Sequence, residues 1–168
     1  MTTGAWIGAA VVLLACYVTW TAGRLDRMHA RVDAAWAALD AQLVRRAAAV
    51  RAVVPLLPPD PTTARLEAAC DAALRAGTDG REVVENDLSR ALRAAGPLLL
   101  AAPAPPDTLV ELQTAGSRVA LARSFHNSAV NDTRALRRRR LPRALRLAGH
   151  RALPRGFDID DTALRMTA

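Results

Sequence analysis

Residues 5–20 read AWIGAAVVLLACYVTW, and no charged side chain occurs anywhere in residues 1–23. With the three residues that follow, this stretch reaches the roughly 20 residues that a helix needs to cross the hydrocarbon core of a bilayer. Trp6 lies near one end, and Tyr17 and Trp20 lie near the other, as aromatic side chains do at the two interfaces of a membrane. The pattern predicts a transmembrane helix over residues 1–23.

Three other structures share parts of this pattern. A buried core helix has a similar composition, and a secretory signal peptide has a similar apolar segment. A signal peptide, however, begins with a basic segment, and residues 1–4 offer only the α-amine. The run Leu13-Leu14-Ala15-Cys16 has the outline of a lipobox, in which Cys16 would be lipidated, but apolar residues continue past that cysteine. A single-pass anchor accounts for the whole stretch.

Positive charge follows the apolar stretch on one side only. Arg24, Arg27 and Arg31 come directly after it, whereas the four residues before it are uncharged. Because positively charged flanks stay in the cytoplasm, the N-terminus is expected outside the cell membrane and residues 24–168 inside. A disulfide between Cys16 and Cys70 is not expected, since the cytoplasm is reducing.

The composition favours helices over sheets. The chain has 168 residues, of which 51% are hydrophobic, 4% are aromatic and 37 are alanine. Alanine loses no side-chain entropy in a helix and offers little packing surface to a sheet. Nine glycines and two cysteines exclude a collagen or a disulfide scaffold, and the apolar content excludes full disorder.

Proline clusters divide the rest of the chain into four predicted helices. The first covers residues 24–54, with a weak point in its apolar pattern at Arg46. The second begins at a cap on Thr62 or Thr63 and ends in the turn of residues 77–80. The third covers residues 81–102 with a kink at Gly96-Pro97, and the fourth follows a cap on Asp107 or Thr108.

The expected fold is therefore all-α: an N-terminal transmembrane helix followed by an antiparallel, up-down-up-down four-helix bundle over residues 24–141. Residues 142–168 are expected to form a basic, mostly irregular tail. Cys70 is expected in the core. The fourth helix is also expected to direct the following residues toward the core: Leu109, Leu112, Val119, Ala122, Phe125, Ala129, Thr133 and Leu136.

Short motifs follow one another in a recognisable order after the anchor. They are Arg24-Leu25, Arg31-Val32, Ala35-Trp36, Leu39-Asp40, Gln42-Leu43, Arg45-Arg46, Glu85-Asn86-Asp87-Leu88-Ser89, Arg118-Val119-Ala120, Phe125, Asn127 and Phe157-Asp158-Ile159-Asp160. This series resembles the LemA family of bacterial membrane proteins, although His126 stands where that family usually has tyrosine. The resemblance implies a single anchor, a four-helix bundle and no defined biochemical activity.

The sequence contains no recognisable catalytic or metal-binding motif. His29, His126 and His150 are far apart and have no cysteine or carboxylate at ligand spacing. Ser124 lacks the glycines of a nucleophile elbow, and there is no glycine-rich phosphate loop. We therefore expect neither an enzyme nor a cofactor.

An arginine-rich segment is the strongest charge feature. Residues 134–155 contain nine arginines and no acid. They could form a solvated surface, bind nucleic acid through phosphates, or contact anionic lipid headgroups at the membrane. The lipid interpretation is preferred, because an antiparallel fourth helix returns to the membrane flank. The residues expected to contact lipid are Arg24, Arg27, Arg31, Arg137, Arg138, Arg139, Arg140 and Arg143.

Two functions follow from these patterns. The first is a membrane-anchored interaction or scaffold module that assembles with itself or with a partner membrane protein. The alternative is a membrane-tethered nucleic-acid-binding protein. A structural contact is also expected: Asp40 and Arg123 should pair between the two long helices and fix their register, with Asn127 as an added hydrogen-bond partner.

Overall fold

A computed structural model describes residues 2–138 and 152–160, and every regular element in those ranges is helical. The elements in order are α1 (Thr2–Val53), a 3₁₀ turn (Val54–Leu56), α2 (Pro61–Arg75), α3 (Arg81–Ala94), α4 (Gly96–Ala101) and α5 (Pro106–Arg138). The predicted all-α class is confirmed. Most of the tail predicted over residues 142–168 lies outside the described residues.

Helix α1 joins the predicted anchor and the predicted first helix into one element. No proline occurs before Pro55, and Gly23 lies inside the helix without ending it. This helix is long and apolar enough to cross a membrane. Its first part has large apolar side chains in the open, with Trp6 75% and Leu13 71% exposed.

The N-terminal cap of helix α2 differs from the predicted one. Asp60, not Thr62 or Thr63, is the cap: its carboxylate accepts a hydrogen bond of 2.7 Å from the backbone N–H of Thr62. This bond also holds the pKa of Asp60 below its ordinary value. Pro61 takes the first helical position, where its missing N–H costs nothing.

The predicted third helix is divided into α3 and α4 at Ala95. Pro97 has no N–H to donate, and its ring crowds the preceding turn, so the expected kink becomes a boundary between two helices. Gly80 lies directly before α3, has a left-handed φ of 76° and is the N-cap residue of this helix. The preceding helix ends at Arg75 with an extended Ala76.

The chain forms two compact units. Unit 1 contains Met1–Trp36 and His126–Gly156, and unit 2 contains Ala37–Phe125 and Phe157–Ala168. In unit 1, Val32 of α1 packs against Ala129 and Val130 of α5.

In unit 2, all five helices contribute to one apolar core that includes Leu66, Leu88 and Leu92, each at most 1% exposed. Cys70 is in this core, as predicted, and its thiol donates a hydrogen bond of 3.1 Å to the carbonyl oxygen of Ala47. The prediction for Phe125 is wrong, because its side chain is 62% exposed.

Candidate interaction site

A buried ion pair joins α1 to α3 inside unit 2. The Nη2 of Arg46 lies 2.5 Å from the Oε2 of Glu85, and both side chains are at most 1% exposed. The same guanidinium donates to the hydroxyl of Ser89 at 3.2 Å and to the backbone carbonyl of Glu85 at 3.3 Å. Arg46 therefore contacts three acceptors on one turn of α3.

Arg81 extends this pair to the end of α2. It is 2% exposed, and its Nη1 donates to the carbonyl oxygens of Ala73 at 3.1 Å and Ala76 at 2.8 Å. Carbonyls at a helix C-terminus have no partner within the helix, and a cation is favourable there. On its other side, Arg81 forms ion pairs with Glu85 at 3.3 Å and with Asp40 at 3.2 Å.

The four side chains form a neutral cluster of two arginines and two carboxylates: Arg46, Arg81, Glu85 and Asp40. Burial raises the pKa of Glu85, and the two nearby guanidinium groups act in the opposite direction. We call this set the buried charge cluster, although the side chain of Asp40, at its edge, is 45% exposed; it links α1, α2 and α3.

Arg46, Arg81 and Glu85 were missed as site residues, although the sequence held a signal. Along α1, Arg46 takes an inward position between Leu43 and Val50, at the weak point that the sequence predicts in the apolar pattern. Along α3, the charged residues Arg81 and Glu85 likewise precede Leu88 at helical spacing. Charges at core positions on two different helices indicate a buried pair.

The expected pair of Asp40 with Arg123 is corrected by the structure. Asp40 pairs with Arg81, and Arg123 pairs with Asp158 at 3.6 Å. The prediction considered only the two long helices, whereas the partners come from α3 and from the segment after α5. Asn127, expected beside them, is half-buried in unit 1 next to Gly156, where an added Cβ would lie 3.2 Å from its Oδ1.

In unit 2, an extended segment at residues 157–160 lies against α3. The Asn86 side chain donates to the carbonyl of Asp158 at 3.3 Å and accepts from the N–H of Asp160 at 3.0 Å. Glu82 accepts from the N–H of Asp158 at 2.6 Å. Phe157 and Ile159 are each 4% exposed, so the segment alternates buried apolar and outward acidic residues.

In unit 1, the residues just before this segment are held by α5. Arg134 donates to the carbonyl of Pro154 at 2.8 Å, and Arg137 donates to that of Ala152 at 2.9 Å. Two of the arginines predicted to meet lipid headgroups in α5 are described, Arg137 and Arg138. Arg139, Arg140 and Arg143 lie outside the described residues.

Within unit 1, the part of α1 that carries three more of these arginines lies beside the C-terminal part of α5. Arg31 pairs with Asp132 at 3.7 Å, and Trp36 meets His126, so residue numbers fall along α5 as they rise along α1. The guanidinium of Arg24 lies 5.7 Å from the centre of the Trp20 ring. At ~1.5 Å per residue, Arg24 and Arg138 are both about 10 Å beyond the Arg31–Asp132 pair.

His126 is buried in unit 1 between an aromatic ring and a carbonyl. Its ring meets that of Trp36 edge to face, with centroids 5.5 Å apart, and its Nε2 lies 3.3 Å from the carbonyl oxygen of Arg155. A carbonyl can only accept, so we assign the proton to Nε2. Burial lowers the pKa of His126, and the carbonyl opposes this effect.

The polar groups of the buried charge cluster contact one another and nearby carbonyl oxygens. Among the described residues, no group of three histidine, cysteine or acidic side chains could hold a metal ion. The charges of the buried cluster are used by one another and by helix carbonyls, and Ser89 donates to the carbonyl of Glu85 at 2.9 Å. The surface around α3 presents polar side chains that form hydrogen bonds with the backbone of residues 157–160.

The buried pair predicts a large loss of stability when one partner is removed. Arg46→Met or Glu85→Leu alone should each lower the free energy of unfolding by about 3–5 kcal/mol, because a buried side chain then loses its nearest ion-pair partner. The double variant should lose less than the sum. Urea unfolding in detergent micelles, followed by circular dichroism, measures this; Arg75→Ala, at an exposed pair with Asp71, is the control. Additive losses would contradict the coupling.

His126 predicts a stability that decreases in acid. Its pKa is lower in the folded chain, so below about pH 6.5 the unfolded chain binds the proton more readily. The melting temperature should therefore fall between pH 7 and pH 5. His126→Phe keeps a ring against Trp36 and removes the titration, so its melting temperature should depend less on pH. An unchanged dependence would show that His126 does not contribute.

Comparison with known proteins gives no relative. No family model matches the chain, and no curated protein or solved structure matches it. The resemblance to the LemA family therefore stays a prediction based on the motifs. Several residues of those motifs, among them Arg46, Glu85, Asn86 and Ser89, take part in the contacts described above.

Proposed function

We propose that the protein is a single-pass membrane protein whose helical part is an interaction module at the cell membrane. The observation that carries this proposal is the exposed apolar surface at the start of α1. Large side chains such as Trp6, Leu13 and Trp20 are 75%, 71% and 58% exposed. Apolar surface of this kind is stable in lipid and unfavourable in water.

We further propose that the helical part is a four-helix bundle of the LemA type. Support comes from the unit 2 core, which takes side chains from every helix, and from the buried charge cluster, which links three of them. The motif residues make these contacts, as expected if the motifs preserve a common structure. Assembly with a second copy or with another membrane protein is the proposed role, without an enzymatic reaction.

The proposed orientation places the N-terminus outside and the body of the protein in the cytoplasm. Arg24, Arg27 and Arg31 support it, because the basic flank of a membrane helix stays inside. A reporter fused after Ala168 should be active only if it functions in the cytoplasm, and a cysteine introduced at Thr2 should react with an impermeant reagent. Activity of an exported reporter at Ala168 would overturn the orientation.

We propose that the arginines at the end of unit 1 contact anionic headgroups. Each such arginine contributes about 1 kcal/mol near an anionic surface. The geometry supports this proposal for Arg24 and Arg138, which lie at the same level along their helices.

Replacing Arg137, Arg138, Arg139 and Arg140 with glutamine should weaken the binding of a fragment of residues 24–168 to anionic vesicles. The loss should be larger at low salt, where screening is weak. A matched control replaces four exposed arginines of unit 2: Arg45, Arg65, Arg90 and Arg118. Equal losses in both variants would leave only a nonspecific charge effect, and retention of the fragment on nucleic acid at matched salt would favour the alternative function.

A further inference from the structure

A cleft in unit 1 combines positive charge with one apolar side chain. It has a volume of about 610 Å³, and its lining includes Arg134, Arg137 and Arg138 of α5 together with Leu153. Arg137 and Arg138 follow Arg134 by three and four residues, so one turn of α5 brings the three arginines to the same side of the helix. Leu153 comes later in the chain and is 57% exposed.

Two hydrogen bonds to the backbone fix the shape of this cleft. Arg134 donates through Nε to the carbonyl of Pro154, and Arg137 donates through Nη1 to that of Ala152, so the residue between them is held beside α5. A bond of this kind uses one of the five N–H groups of a guanidinium. The side chain of Arg138 forms no hydrogen bond or ion pair with the described residues. The cleft therefore has preorganised donors for an anion.

The charge of the cleft indicates a phosphate group without an accompanying ammonium. Residues 134–155 include nine arginines and no acid. Like charges one turn apart destabilise a helix, and a phosphate placed among them removes this cost while it accepts charge-assisted hydrogen bonds. A headgroup such as that of phosphatidylserine would bring its ammonium among arginines, where this segment has no carboxylate to pair with it.

The position of the cleft indicates that this phosphate belongs to a lipid. Arg138 lies at the level of Arg24 along their two helices, and Arg24 directly follows the apolar part of α1. The cleft is therefore next to the membrane surface that the proposed anchoring defines. At this level the exposed side chain of Leu153 can be buried among acyl chains, which a free phosphate ion does not have.

We propose that this cleft binds one anionic phospholipid whose headgroup has a phosphate and no ammonium, such as phosphatidylglycerol. Arg134, Arg137 and Arg138 bind the phosphate oxygens, and Leu153 contacts the acyl chains. This site rests on the anchoring and headgroup contact proposed above. It differs from a diffuse attraction, because one lipid saturates it and because it selects between lipids of equal charge.

The test compares two lipids of equal net charge. Full-length protein in neutral detergent micelles is titrated with dioctanoyl phosphatidylglycerol or dioctanoyl phosphatidylserine, and native mass spectrometry counts the lipids bound. We expect one tightly bound phosphatidylglycerol, with an affinity about tenfold higher than that of phosphatidylserine. Equal affinities, or binding of phosphatidylglycerol without saturation at one lipid, would overturn the site and leave only the diffuse contact.

A single substitution tests the arginines. Arg138→Gln should lower the affinity for phosphatidylglycerol about fivefold, the usual contribution of one arginine near an anionic surface. Because this change breaks no contact with the described residues, a folding defect does not explain the loss. Arg118→Gln is the matched control, since Arg118 is also an exposed arginine of α5 but belongs to unit 2. An equal loss in both variants would contradict the site.

Two further measurements separate a lipid from a free phosphate and the site from the anchor. Leu153→Ser should weaken the binding of phosphatidylglycerol but not that of glycerol 3-phosphate, which has no acyl chain. Equal affinities of the original chain for these two ligands would overturn the lipid assignment. Flotation of membranes from expressing cells reports anchoring separately: a chain that floats but binds both lipids equally keeps the anchor and loses the site. If the chain does not float, the selectivity measured in micelles still decides the site.

Discussion

The ion pair between Arg46 and Glu85 is the contact on which the packing of unit 2 depends. The Arg46 guanidinium and the Glu85 carboxyl group lie 2.5 Å apart where leucine would otherwise fill the core. Removing either charge from water is unfavourable, and only its partner and the surrounding hydrogen bonds offset the loss. Leucines can slide past one another, but this pair fits in one register of α1 against α3. This register also determines the positions of the apolar residues on either side of the pair, such as Leu43 and Leu88.

Arginine, rather than lysine, makes these contacts possible. The chain contains 23 arginines and no lysine. One guanidinium presents five N–H groups in a fixed plane, so Arg81 reaches two backbone carbonyls at the end of α2 and two carboxylates at once. Arg134 and Arg137 act similarly toward the backbone carbonyls after α5. A basic composition by itself suggests only a charged surface. In this fold, arginines also form contacts with carboxylates and backbone carbonyls inside the protein.

The same chemistry links the fold to the proposed function. One helix is long and apolar enough to cross a membrane, an arginine flank follows its apolar part, and side chains of α3 hold residues 157–160. These features fit a protein whose role is to assemble others, or copies of itself, at a membrane.

The sequence by itself determined the helical class, the apolar N-terminal segment, the proline boundaries and the burial of Cys70, because these depend on neighbours along the chain. It could not determine the partners of Asp40 and Arg123, since those come from α3 and from a segment far along the chain. The exposure of Phe125 likewise depended on which face of α5 met the core. Local propensity sets helices, but tertiary structure alone decides which charges meet, because each contact needs two segments brought together by the fold.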